Sequence, residues 1–263
     1  MAGTVMGVND SDVQPEPAGE PVTADDDSRP SFLEWQARLQ ASTGSRALGL
    51  KDRVKRMGYI SQGNVAQYKS LVSRLQNPSV SFPILDVRNP DAHDDLLSGA
   101  ERLLHNVLTT MSTRVDQQRR FMEKYLQDDP ALRKEYDERI ASAFIVSPEA
   151  AFLKGLRNYI THRQLPVAQT RQTFGPGSFS VTFILPSEPL LAWDGWKRSV
   201  RAWIVGQGEA VAVVDVVDVY ARLTGEFDKW LFDRIGLKYS TEIDAFLREQ
   251  EEYAHEVNQV FGA

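Results

Sequence analysis

The chain has 263 residues, 42% of them hydrophobic, with no cysteine and a formal net charge of -6. That length and apolar share suffice for one substantial core behind a tail, and the lack of cysteine excludes disulfides and thiolate metal sites, in keeping with a cytoplasmic setting. No stretch has the length and apolarity of a membrane span or a secretory signal, so no membrane association is expected.

Residues 1–31 hold seven acids against Arg29, with four prolines and almost no large apolar side chains. Such a segment cannot bury enough surface to offset its ordering entropy, and it reads as a disordered acidic tail that solubilises the chain or mimics an anionic ligand. It accounts for the whole net charge. Residues 32–263, read as a single helical domain, carry 29 acids and 29 bases, a balance that gives no global support for nucleic-acid binding.

Ser31 with Glu34 forms a capping-box pattern that predicts a first helix from residue 32. The run from Gly44 to Gly63 leaves its class open, and its Arg46, Lys51, Arg53, Lys55 and Arg56 read as a solvated helix face. Val65, Tyr68, Leu71, Val72 and Leu75 recur at helical spacing before Asn77-Pro78 interrupts them. One long helix is predicted from Pro90 to Gln127, with Leu97, Ala100, Leu104, Val107, Met111, Val115, Met122 and Tyr125 facing the core. Asp86, Asp91, His93, Asp94 and Asp95 gather ligand-type side chains near its start, but acids favour a helix N-terminus in any case, and no metal is assigned to them.

Asp129-Pro130 caps a further helix to about residue 144, and Ser147-Pro148-Glu149 starts another with a cap, proline at the first position and an acid in the first turn. On the latter, Phe152, Leu153, Leu156, Tyr159 and Ile160 fill one arc, and Lys154, Arg157, Asn158, Thr161 and His162 the opposite one. Ala151 and Gly155 lie within the polar arc, where small residues let a neighbouring helix or ligand approach closely. Leu165-Pro166 ends the helix. A β-hairpin follows over about 167–185, turning at Gly175-Pro176-Gly177-Ser178. Helix resumes after Ser187 with Leu190, Trp193, Trp196, Val200 and Trp203 on one face, the tryptophans serving core or dimer packing. Residues 211–219 allow strand or helix, with helix preferred and continuing to Gly236, and a last helix spans about 241–260.

Arg157 and His162 place a permanent phosphate-binding cation and a near-neutral proton shuttle five positions apart. With 21 arginines and four histidines the bare spacing is weak evidence, and Arg88 to His93 repeats it, but Pro90 sets that pair astride a helix start. Around His255, four glutamates would repel a phosphate. Only the 157–162 match lies in favourable surroundings: the 38 residues between Glu149 and Glu188 contain no acid and four cations, Lys154, Arg157, Arg163 and Arg171. No phosphate-binding glycine loop, nucleophile-elbow serine or paired metal-ligand histidines occur, and no cofactor is expected.

The stretch from Phe152 to Pro166 with Arg157-Asn158 and His162, followed by a hairpin and Trp193-Asp194-Gly195-Trp196, resembles HEPN-type proteins, specifically over roughly residues 147–204. The resemblance implies a mainly α helical bundle with a β-hairpin inserted after the motif helix. It further implies a metal-independent endoribonuclease, by role a toxin or phage-defence effector, working as a homodimer on RNA with an antitoxin or regulatory partner. On this reading Arg157 binds the phosphate, His162 acts as general acid or base, and Asn158, Lys154, Thr161 and Arg163 position the substrate. The alternative is a non-catalytic helical dimerisation or binding module, in which Arg157 and His162 are polar residues of an exposed or interface helix face.

Overall fold

A computed structural model describes residues 31–262, so the acidic segment read over 1–31 lies, Ser31 apart, outside the described residues. Helix α1 (Phe32–Ala41) begins at the expected capping box: Ser31 Oγ accepts from the Glu34 amide, and Glu34 accepts in turn from the Ser31 amide. The undecided region after Gly44 lies within one unbroken helix, α2 (Thr43–Leu75). Asn77 caps a short helix, α3 (Pro78–Leu85), and Pro90 opens α4 (Pro90–Tyr125), leaving Asn89 in a non-helical conformation.

α5 (Pro130–Ile140) ends four residues earlier than read, passing into a π-helical turn over Ala141–Ile145. The motif helix is α6 (Pro148–His162). Strands β1 (Gln169–Gly175) and β2 (Ser178–Pro186) form the expected hairpin, with Pro176 and Gly177 as its two turn residues and Gly177 at φ 70°, where glycine carries no steric cost. The helical face read from Leu190 to Trp203 is divided into α7 (Ser187–Leu191), a turn over residues 192–197, and α8 (Arg198–Gly206). Asp194-Gly195 break it, and the turn lets Trp193 and Trp196 face one another.

The preference for helix from residue 211 is corrected at its start. Ala210–Ala212 form β3, which pairs antiparallel with Ile184–Pro186, and α9 (Val213–Lys238) begins immediately after. Pairing on the sheet's inner side wins over three residues before helical spacing takes hold. α10 (Ser240–Phe261) closes the chain and packs along α1 through Phe32, Trp35, Tyr253 and Phe261.

The three longest helices build the body. α9 and α4 each run antiparallel to α2, as Lys51 at Phe232, Lys69 at Asp218 and Arg53 at Tyr125 show. Two apolar clusters fill the body. One joins α2, α4, α6, the sheet and the start of α9, and the other joins α2 and the ends of α4 and α9 to α5. Between them lies a polar layer that periodicity missed: Arg114, only 2% exposed, donates to Asp228 at 2.5 Å and to the Thr224 carbonyl at 3.1 Å, and Gln118 reaches the same carboxylate oxygen at 3.0 Å. Val115, read as core, is only half-buried because α4 turns Arg114 and Gln118 inward to meet Asp228. Burial pushes the Asp228 carboxyl above the usual carboxylate range, with Arg114 and Gln118 pulling it back. Among the described residues no helix is long and apolar enough to cross a membrane.

Candidate functional site

Ser147 Oγ accepts from the Ala150 amide at 3.1 Å and donates to Glu149 at 2.8 Å, which fixes where α6 starts. Phe152, Leu153, Leu156 and Tyr159 are buried against the core, as the apolar arc predicts. On the opposite arc Lys154, Arg157, Thr161 and His162 are exposed, and Asn158 is half-buried. Arg163 leaves helical geometry and ends α6 at His162.

The small residues of that arc face this chain's own aromatic residues. Trp196 stacks on Phe152 at 5.5 Å and 9°, meets Trp193 edge-on at 5.1 Å, and donates its indole hydrogen to the Leu190 carbonyl at 2.6 Å. Its ring fills the space beside Gly155 so closely that a Cβ there would lie 2.5 Å from Trp196 Cζ3. The expectation that Gly155 leaves room for an outside helix or ligand is therefore corrected: the turn over 192–197 occupies that room.

Three of the residues read as substrate-positioning have different surroundings. Thr161 Oγ1 donates to the Arg157 carbonyl at 2.8 Å, so its proton is taken up by the helix backbone. Arg163 Nη1 donates to the Ala192 carbonyl at 3.0 Å while its guanidinium lies over Tyr159, which ties the 192–197 turn to the end of α6. Lys154 remains exposed and enters no ion pair among the described residues.

The side chains of Arg157 and His162 are likewise outside the hydrogen bonds and ion pairs of the described residues. Five residues of continuous α-helix set two side chains about 140° apart around the axis. Within one chain they stand at opposite margins of the exposed arc.

The spacing decoys have other engagements. Arg88 pairs with Asp86 at 2.5 Å, which holds that carboxyl below the usual range, while His93 Nε2 meets Thr170 Oγ1 at 3.2 Å and His255 meets Gln259 at 2.8 Å. Among the described residues no three metal-capable side chains converge.

The fold adds cations that the sequence reading passed over. Lys197, Arg198 and Arg201 are exposed at the start of α8, which packs on α6, and Arg201 donates to the Trp193 carbonyl next to the one that Arg163 holds. The first turn of α8 contains no acid. A helix N-terminus favours acids, so a basic first turn is the sequence feature that could have drawn attention here. Comparison of the chain with protein-family models, with curated proteins and with solved structures finds no match.

Proposed function

We propose that this chain is a HEPN-like endoribonuclease whose site is completed by a second copy, with Arg157 from one chain and His162 from the other meeting at one phosphate. The observation that carries the reading is that both side chains are exposed and unengaged among the described residues, within 38 residues that hold cations without acids. A composite site also accounts for their separation within one copy. In the reaction, an imidazole nitrogen of His162 takes the proton from a ribose 2′-hydroxyl as its oxygen attacks phosphorus. Arg157 binds the phosphate oxygens on which charge accumulates, and the 5′-oxygen leaves with a proton taken from water, giving a 2′,3′-cyclic phosphate. The roles assigned to Asn158 and Lys154 are contacts to ribose and phosphate beside this pair.

The test is cleavage of single-stranded RNA in excess chelator by wild type, Arg157→Ala and His162→Ala. Each substitution is expected to lower the rate at least about 100-fold while wild type yields cyclic-phosphate ends. Mixing the two inactive variants is expected to restore about a quarter of the wild-type rate, since half the dimers carry both variants and each of those rebuilds one of two symmetric sites. Equal cleavage by all three proteins would refute the assignment. A second reading, RNA binding without cleavage, is favoured by the divergence of Arg157 from His162, and tight binding without product would select it.

A further inference from the structure

The two edges of the small sheet are built differently. β3 is three residues long and runs straight into α9, whereas β1 is seven residues long and, among the described residues, pairs only with β2. Sheet edges are commonly guarded by lysine, proline, inward charge or a bulge. β1 has no lysine, proline or bulge and a single charge, Arg171: its sequence is Gln169-Thr-Arg-Gln-Thr-Phe-Gly175, and its register with β2 runs residue for residue.

The hairpin also stands clear of the core. Residues 171–178 are all exposed, while Val181, Phe183 and Leu185 further along β2 are buried. Gln76 clamps the point of departure, its side-chain amide donating to the Val181 carbonyl at 2.6 Å and accepting from the Val181 amide at 3.2 Å. Along the free edge Arg171 and Thr173 offer a guanidinium and a hydroxyl on one face of the sheet, and Gln172 and Phe174 an amide and an aromatic ring on the other, the ring 67% exposed and backed by Phe179 at 5.2 Å.

We infer that the free edge of β1 is a binding subsite for single-stranded RNA, with Arg171 on a phosphate, Gln172 and Thr173 on base edge and ribose, and Phe174 stacking one base. Single strands are held by this combination of positive charge, stacking platform and hydroxyl contacts. The inference rests on the RNA reading of α6 and supplies the grip that a charge-balanced domain otherwise lacks. Gln169 follows His162 by seven residues, a reach of at most about 25 Å, so a strand on β1 can continue to the exposed arc of α6. Acids mark where the subsite ends. Glu101 meets the Ala168 amide at 2.9 Å, and His93, among Asp91, Asp94 and Asp95, touches Thr170, so RNA is accommodated from Arg171 outward.

The experiment uses the full chain carrying His162→Ala and a fluorescent single-stranded oligoribonucleotide of about 12 nucleotides. Adding Arg171→Ala is expected to weaken binding and lower the slope of log affinity against log salt by about one. Adding Phe174→Ala is expected to weaken binding at least about fivefold with the slope unchanged. Both residues are exposed, and circular-dichroism melts confirm folding. If the His162→Ala protein binds and the double hairpin variant binds equally well, the β1 subsite is refuted while the reading of α6 stands. If His162→Ala protein does not bind and wild type does not cleave, both fall. A shift from dimer to monomer on hairpin substitution, with monomer affinity for RNA unchanged, would assign the edge to contact between copies and overturn the proposal.

Discussion

The helical body and the segment from α6 through the hairpin treat charge in opposite ways. In the body, cations meet acids: Arg38 with Glu249, Lys69 with Asp218, Arg234 with Glu135, and, deep between the helices, Arg114 with Asp228. From residue 150 to 187 there is no acid to meet, and Arg163 turns to a backbone carbonyl while Lys154, Arg157 and Arg171 remain exposed. The same residue types therefore do different work. In the body they bridge neighbouring helices, and on α6 and β1 they leave a positive surface directed at solvent, which an anionic strand can neutralise.

The largest expected effect separates the two arginines that represent these regions. Arg114→Met strands a buried carboxylate and is expected to destabilise the fold by about 3–5 kcal/mol in urea unfolding, because Asp228 would lose its countercharge. Arg157→Ala is expected to change stability by less than about 0.5 kcal/mol, as for an exposed side chain without partners. Comparable losses in the two variants would erase the contrast.

A smaller effect tests the boundary where the regions meet. Gly155→Ala drives a methyl group into Trp196, and overpacking of about 1–3 kcal/mol outweighs the gain of about 1 kcal/mol in helix propensity. Net destabilisation with an altered near-ultraviolet dichroism of the tryptophans is expected. A stabilised variant with unchanged dichroism would show that the aromatic turn does not press on α6.

The smallest effect is a change of slope with pH. Hydrogen bonding from Arg234 holds Glu135, and from Lys238 holds Asp129, below their usual ranges, so both contribute stability that is lost as pH falls below about 4. Asp228 is raised, chiefly by burial, so its contribution has the opposite sign, greatest at low pH and declining as pH rises through its folded pKa. Removing it with Asp228→Asn should make stability rise more steeply from about pH 3 to pH 6 than in wild type. An equal or shallower rise in urea midpoints would reverse the sign assigned to the buried carboxyl.

Helices were legible wherever local chemistry and apolar spacing agree. The capping box at Ser31, proline at the first position of α4, α5 and α6, and the apolar arc of α6 all stand as read. The hairpin was legible from its Gly-Pro-Gly turn and alternating β2. What escaped was set by partners distant in sequence. β3 exists because Ile184–Pro186 offer it a neighbour, Arg114 and Gln118 face inward because Asp228 lies 110 or more residues away, and Gly155 is bare because Trp196 needs the space.

By itself the sequence determined where helices start, which arc of α6 is apolar, and that residues 150–187 carry cations without acids, since caps, spacing and charge are properties of neighbouring residues. Only the tertiary structure decided that Arg163 is tied to the aromatic turn and that β1 keeps a free edge. Those outcomes depend on which surfaces the packed helices cover, and coverage is a property of the whole chain folded on itself.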